Sequence, residues 1–306
     1  MLARILSPDL KVLDDQVVIQ FQSMVVNRQT TDKYHELSDL GVKGFSQWGE
    51  DGIIEWLVSQ IPGIPKSFVE FGVEDYVESN TRMLLYNRNW RGMVIDGSSR
   101  NVDSIMKQSI SWKFDLAVVE AFITRENINS LIQNAGLSGD IGLLSVDIDG
   151  NDYWVWEAID IITPAIVVCE YNATFGDLES FSVPYQPDFE RTKAHFSNLY
   201  FGASLAALVK LGKAKGYRFV GTNLNGCNAF FVRNELAEKV INGLDEVTSH
   251  PSVFAESRDL NGKLTFLRGS SKEKLIGSLP VYDFGSQSIQ RIDDYNTLCS
   301  ENWLRE

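Results

Sequence analysis

Residues 67–81 read "SFVEFGVEDYVESNT", and the fold turns on how this stretch is read. An apolar run ends at Phe71, Gly72 follows, and a polar segment leads into the apolar-periodic "MLLYNRNW" (83–90). Strand, tight turn and helix in this order open a nucleotide-binding α/β domain. Only one glycine is present. The positions two and four residues beyond Gly72, where such loops often carry glycine, hold Glu74 and Tyr76.

Working outward, the same rhythm repeats. Strand candidates are 67–71, 92–95, 116–119, 141–146 and 165–169, with helical patterns at 79–89, 100–108, 124–135 and 152–161. Short apolar runs separated by helices predict βαβ units and a parallel sheet buried on both faces. Right-handed crossovers make it doubly wound. Upstream, "SQWGEDGIIEWLVSQI" (46–61) has helical spacing and is stopped by "PGIP". Downstream, 171–201 has no strong period, and a loop of that length in a compact domain usually serves function. Residues 202–216 form an amphipathic helix ending at a glycine, and 217–233 form a β-hairpin around "NLNG". The expected architecture is α/β: a Rossmann-like, doubly wound seven-stranded sheet, mostly parallel, closed by a C-terminal antiparallel hairpin. It divides into a helical N-terminal extension (1–44), the sheet domain (45–234), and a C-terminal extension (235–306) that packs on the domain or mediates assembly.

Composition narrows the partners. The 306 residues carry 28 Lys and Arg against 41 Asp and Glu, a net charge of −13, which repels a nucleic-acid backbone. The three cysteines are far apart and form no metal or disulfide framework, which points to a reduced, cytoplasmic compartment. No segment is long and apolar enough to predict a secretory signal or a membrane span. A small-molecule or saccharide substrate is expected, and homo-oligomerisation is left open.

In an open α/β sheet, ligands bind at the carboxyl ends of the strands where the strand order reverses. Polar residues cluster at such ends here: Glu70 and Gly72, Asp96, Asp147 with Asp149, and Glu170 with Asn172. Asp96, after the second strand, suits the two hydroxyls of an adenosine ribose. That role is shared by nicotinamide dehydrogenases and S-adenosylmethionine enzymes. The first loop separates them, because Glu74 and Asp75 would oppose a pyrophosphate but suit a sulfonium and an ammonium group.

The set "SQWGEDGII", "VEFGVEDYVESNT", "WRGMVIDGS", "ITRENINSL", "LLSVDIDGNDYWVWEAI", "VVCEYNATFG" and "FGASLAALVKLGKAKGYRFVG…NAFFVR" resembles S-adenosylmethionine-dependent methyltransferases of the FkbM-like group, over residues 45–233. Enzymes of this group often modify saccharides and natural products, so the reaction implied is methyl transfer to an oxygen of a saccharide or of a phosphorylated or nucleotide-linked saccharide intermediate. The resemblance implies a class I methyltransferase sheet whose last two strands are the hairpin. It also implies that Glu70 and Gly72 line the methionine end of the cofactor, that Asp96 holds the ribose, and that residues near Val119 and Glu120 flank the adenine. Ser46, Gln47 and Asn80 approach the cofactor on the same analogy. The chain departs from the pattern in its glycine-poor first loop.

"VDIDGND" (146–152) is the densest acidic cluster. It begins like a calcium-binding loop but lacks the glutamate at the twelfth position. Adjacent parallel strands lie about 4.8 Å apart, so Asp147 or Asp149 would converge with Glu170 and Asn172 into a hard-oxygen set for Mg²⁺ or Mn²⁺. This is similar to metal-dependent O-methyltransferases such as catechol O-methyltransferase. Asp149, Glu170 and Asn172 are the expected metal ligands, Asp147 and Asp149 are candidate catalytic residues, and Asp147 is also expected against the cofactor. The competing reading is that Asp149, Asn151 and Asp152 cap the next helix. Without a metal, His195 in the long loop is the expected general base. Tyr171, Tyr185 and Tyr200 are candidate walls of the acceptor pocket. Of Trp154 and Trp156, two residues apart on a helix, one is expected in the core. The rival functions are a nicotinamide-dependent oxidoreductase and a non-catalytic partner in polysaccharide assembly.

Overall fold

The computed structural model describes residues 10–28 and 34–304, with the side chains of 10–12 and 26–28 left aside. The parts of the expected N-terminal extension at 1–9 and 29–33 lie outside the described residues. The first helix is α1 (Leu10–Arg28), followed by α2 (Glu50–Gln60). The chain then alternates through β1 (Ser67–Phe71), α3 (Arg82–Arg88), β2 (Arg91–Asp96), α4 (Ser99–Lys107), α5 (Ile110–Lys113), β3 (Leu116–Glu120), α6 (Ile128–Asn134), β4 (Gly139–Val146), α7 (Asp152–Ala158) and β5 (Ile162–Glu170). Next come β6 (Phe181–Ser182), α8 (Arg191–Ala194), α9 (Leu205–Ala214), β7 (Tyr217–Thr222), β8 (Asn228–Arg233) and α10 (Asn234–Ile241). The tail adds α11 (Ser270–Ile276), β9 (Pro280–Asp283), β10 (Ser288–Arg291) and α12 (Glu301–Leu304).

The main sheet has seven strands in the order β3-β2-β1-β4-β5-β8-β7. Strands β1 to β5 pair in parallel, and β8 runs antiparallel to both β5 and β7. This is the mostly parallel, doubly wound sheet with a closing hairpin that the sequence predicts.

Two-residue periodicity sorts the strands onto two cores. Val69 and Phe71 of β1, Leu144 and Val146 of β4, and Val167 and Cys169 of β5 face one helical layer, which includes Trp156 of α7 and Leu208 of α9. Phe68, Leu143, Ile166 and Val168 face the other, with Leu57 of α2 and Leu85 of α3. Every residue of β1 is buried, as a central parallel strand requires.

Strands β6, β9 and β10 form a second, three-stranded antiparallel sheet. Its core joins Phe175, Phe181 and Tyr200 from the segment after β5 to Ile276, Val281, Ile292 and Leu298 from the tail. This layer explains a difference from expectation: Trp154 and Trp156 are both buried. Tyr282 and Phe284 pack against the Trp154 ring, and its indole N–H donates to the Val183 carbonyl at 2.9 Å. A face of α7 that would otherwise meet solvent is therefore covered by a non-local hairpin.

Candidate functional site

The order reverses at β1, which passes to β2 on one side and β4 on the other. Over the carboxyl ends of these strands lies a cavity of about 520 Å³, within the range of ligand pockets. Its floor is formed by Glu70 to Glu74, Ile95 to Gly97, Asp147 to Asp149, and Glu170 to Thr174.

Gly72 (φ 66°) sets the first turn, and its N–H donates to the Ile95 carbonyl at 3.0 Å. A Cβ there would stand 1.8 Å from the Asp147 carbonyl oxygen, so the ends of β1 and β4 can close together only at a glycine. Glu74 (φ 47°) and Tyr76 (φ 60°) also adopt left-handed backbone. The loop thus keeps a glycine-like course without glycines, at a cost of roughly 1 kcal/mol or more for each. Hydrogen bonds hold it in place. The Glu74 N–H donates to Asp96 Oδ2 at 2.9 Å, and the Tyr76 hydroxyl shares a 2.8 Å hydrogen bond with Thr81 Oγ1. Tyr76 is fully buried on the α3 side, away from the cavity, whereas Glu74 lines it.

Asp96 is nearly buried, and its Oδ1 accepts from the Ser98 N–H (2.8 Å) and Asn101 Nδ2 (3.0 Å). Glu70 accepts from the Asn80 N–H (2.8 Å) through Oε1, and from the N–H (3.2 Å) and hydroxyl (2.5 Å) of Thr81 through Oε2. Burial pushes its carboxyl up to about 7 despite these bonds. Asn80 lines the cavity and donates from Nδ2 to Ser145 Oγ at 3.1 Å.

Asp147, Asp149 and Glu170 each bring one oxygen within 4.8 Å of the others. Burial first, then the charges of Asp149 and Asp152, raises the Asp147 carboxyl well above its usual range. Burial and the neighbouring aspartates do the same to Glu170. Glu170 Oε2 is out of contact with solvent and has no hydrogen-bond partner among the described residues. The buried side-chain amide oxygens (Oδ1) of Asn151 and Asn228, both residues of the lining, are in the same condition. Asp152 ties the loop instead: its carboxylate accepts from the Ile148 N–H (2.8 Å) and the Gly150 N–H (2.9 Å), and burial raises it to about 6.

The other expected residues divide. Gln47 lines the cavity, in a loop held by two buried carboxylates. Asp51 Oδ2 accepts from the N–H groups of Gly44, Phe45 and Ser46, and Glu50 Oε2 accepts from the Trp48 N–H. Val119 lies within β3 and outside the lining; the β3 end reaches the cavity two residues later, through Ala121, Phe122 and Ile123. Asn172 lines the cavity, but its amide serves the backbone, donating to the carbonyls of Leu199 and Phe201 and accepting from the Thr174 N–H. His195 lies outside the lining, its Nδ1 bonded to Ser197 Oγ at 2.7 Å, and burial lowers its pKa.

Among the tyrosines, Tyr171 borders the cavity but points its hydroxyl at the His250 carbonyl. Tyr185 and Tyr200 lie outside the lining: Tyr185 bonds Glu126 under the Arg125 guanidinium, and Tyr200 bonds the Pro280 carbonyl. In each case the small sheet or the loop packing claims the ring.

The cavity also contains residues that the sequence reading passed over. Arg191, the one arginine of the 171–201 loop, donates from Nη1 to Asp149 Oδ1 at 2.5 Å and from Nε to the Asn198 carbonyl, with its guanidinium 3.9 Å from the centre of the Phe201 ring. A lone arginine in a loop assigned to the acceptor side was the signal that could have found it. Trp48, Phe254, Glu256 and Lys272 also line the cavity, and Trp48 meets Phe254 edge-on with centroids 6.2 Å apart. No local pattern marks these four.

No family model and no curated protein matches the chain. Solved structures do. The N-terminal domain of EvdMO1, crystallised in the presence of SAH and D-fucose, aligns over 74% of this chain and 97% of its own, at 10% identity and a TM-score of 0.41. A S-adenosylmethionine-dependent methyltransferase from Clostridium acetobutylicum aligns over 60% and 90%, at 9% identity and a TM-score of 0.38. Precorrin-6y C5,15-methyltransferase from Geobacter metallireducens aligns over 63% and 90%, at 12% identity and a TM-score of 0.34.

Proposed function

We propose that the chain is a S-adenosylmethionine-dependent O-methyltransferase whose acceptor is a small saccharide or a saccharide intermediate, assisted by a divalent cation. The observation that carries this reading is the charge of the first loop. Burial and the charges of Asp75, Asp96, Asp149 and Glu78 together raise the Glu74 carboxyl. A pyrophosphate against this field would be strongly opposed, whereas a cationic cofactor would relieve it.

When bound, the cofactor supplies an electrophilic methyl group on a sulfonium that leaves as a neutral thioether. The chain supplies position. Asp96 would accept the ribose hydroxyls, and its bond to the Glu74 N–H keeps loop and carboxylate in one arrangement. The Gly72–Asp147 approach holds the β1 and β4 ends together, where the methionine end of the cofactor would lie. Asp147, Asp149 and Glu170 fit a hard cation: the donors are all oxygen, and Glu170 Oε2 is buried without a partner. Such a cation would lower the pKa of an acceptor hydroxyl. Burial raises the Asp147 carboxyl, and that carboxylate would receive the hydroxyl proton. Aromatic faces (Trp48, Phe189, Phe254) beside amides (Gln47, Asn228) suit a polyhydroxylated acceptor.

The test is calorimetric titration with S-adenosylhomocysteine and with NADH, followed by methyl transfer to sugar acceptors before and after EDTA treatment. Binding of S-adenosylhomocysteine alone, with activity lost on chelation and restored by Mg²⁺ or Mn²⁺, is expected. Full activity in EDTA would remove the cation from the proposal, and binding of NADH alone would replace the proposal altogether.

A further inference from the structure

We infer that the cavity contains an anion-binding subsite, built by Lys272 and Arg191, for a phosphate or carboxylate group on the acceptor. The inference rests on the methyltransferase reading for the identity of the other ligand, but its geometry is independent of it.

Lys272 lines the cavity with only 8% of its surface exposed. A lysine usually runs its stem along the surface and keeps its ammonium in water. This one turns inward, donating to the Phe254 carbonyl at 2.5 Å. No carboxylate among the described residues lies within ion-pair range of it. Its charge is instead pressed from two sides: burial first, then the Arg268 and Arg191 guanidinium charges, lower its pKa. A buried ammonium with three donors and no counter-charge is costly, and a ligand anion would offset that cost.

Arg191 lines the same cavity as Lys272. Its Nε and Nη1 are committed to Asn198 and Asp149, while Nη2 is not hydrogen-bonded by any described residue. The guanidinium is also held in place against Phe201. A fixed guanidinium with a spare donor and an inward ammonium are the groups that recognise phosphate and carboxylate. The acidic floor gives the cavity two signs. Cationic ligands belong over the strand ends, and the anionic group of the acceptor belongs against the segments after β5. An acceptor carrying such a group would be held by that charge, with its hydroxyl directed towards the floor.

The full-length protein, stripped with EDTA and saturated with S-adenosylhomocysteine, is titrated with glucose 1-phosphate, glucuronate and glucose. At least one anionic sugar is expected to bind about tenfold or more tightly than glucose. Lys272→Met should weaken anion binding by about the same factor and Lys272→Arg should restore most of it, while both variants keep wild-type affinity for S-adenosylhomocysteine. A preference for phosphate over carboxylate, or the reverse, identifies the group. Equal binding of all three sugars, no binding of either anion, or undiminished anion affinity in Lys272→Met overturns the subsite. The comparison of anions with glucose needs no variant, so it decides the matter even if Lys272→Met misfolds. Failure of the wild type to bind S-adenosylhomocysteine would count against the methyltransferase reading alone, and the same titrations on the unliganded protein would then still decide the subsite.

Discussion

The floor and the roof of the cavity are built by different means. The floor comes from consecutive strand ends: Gly72, Asp96, Asp147 and Glu170 lie where β1, β2, β4 and β5 stop, so the sheet alone fixes their spacing. The roof comes from residues remote in sequence, with Trp48, Arg191, Asn228, Phe254 and Lys272 gathered by a preceding loop, the segment after β5, a hairpin and a tail. The floor is acidic and is tied together by hydrogen bonds between the strand ends and their loops. The roof carries aromatic rings and the two cations. In this account the floor determines cofactor and chemistry, and the roof determines the acceptor.

The largest expected effect breaks the floor. Gly72→Val places a branched side chain where a single Cβ already meets the Asp147 carbonyl, and does so at positive φ. A loss of roughly 3 kcal/mol or more in urea unfolding is expected, and a loss below 1 kcal/mol would mean that the β1–β4 closure is soft. Asp96→Ala comes next. It removes the acceptor of the Glu74 N–H along with the proposed ribose acceptor, and should weaken S-adenosylhomocysteine by about a hundredfold or more. A non-catalytic partner protein would tolerate it in its assembly role.

The pH dependence of stability tests the buried carboxyls around the cavity without mutation. Burial holds Asp51 and Asp152 at about 6 and Glu70 at about 7, all above their ordinary values. A carboxyl whose pKa is raised on folding contributes stability that is complete below its unfolded value and is lost as pH rises through the folded one. The metal-free protein should therefore melt at progressively lower temperature from about pH 4.5 to about pH 7.5. Added Mg²⁺ or Mn²⁺ should recover more stability at the upper end, where Asp147 and Glu170 are nearer ionisation. A flat or rising profile would contradict the burial of these groups.

On the roof, Phe254→Ala should raise the acceptor KM by about tenfold and leave S-adenosylhomocysteine affinity within about twofold. Equal losses in both would erase the division between floor and roof. His195→Ala is the smallest change. With the imidazole outside the lining and bonded to Ser197, kcat should stay within about twofold of wild type; a loss of two orders of magnitude would return the histidine to the reacting centre.

The same division governs what was legible in the sequence. The strands at 67–71 and 116–119 coincide with β1 and β3 to within a residue, and the other three predicted strands fall inside β2, β4 and β5. Two-residue alternation and βαβ spacing are local signals, and they also locate the strand-end carboxylates. The left-handed course of Glu74 and Tyr76 was not legible, because it depends on Asp96, twenty-two residues from Glu74, and on Thr81. The roof was illegible for a stronger version of that reason. Tyr185 and Tyr200 have the chemistry of pocket walls, but packing against Arg125 and Pro280 draws them elsewhere. Lys272 reads as an ordinary surface lysine until the tail folds back and buries it.

The most direct test of the central claim is calorimetric titration of S-adenosylhomocysteine into the wild-type protein and the Asp96→Ala variant, with NADH as the control ligand. The account predicts one S-adenosylhomocysteine bound per wild-type chain, none measurable in Asp96→Ala, and no heat from NADH. An unaffected Asp96→Ala, or saturable binding of NADH in place of S-adenosylhomocysteine, would contradict it.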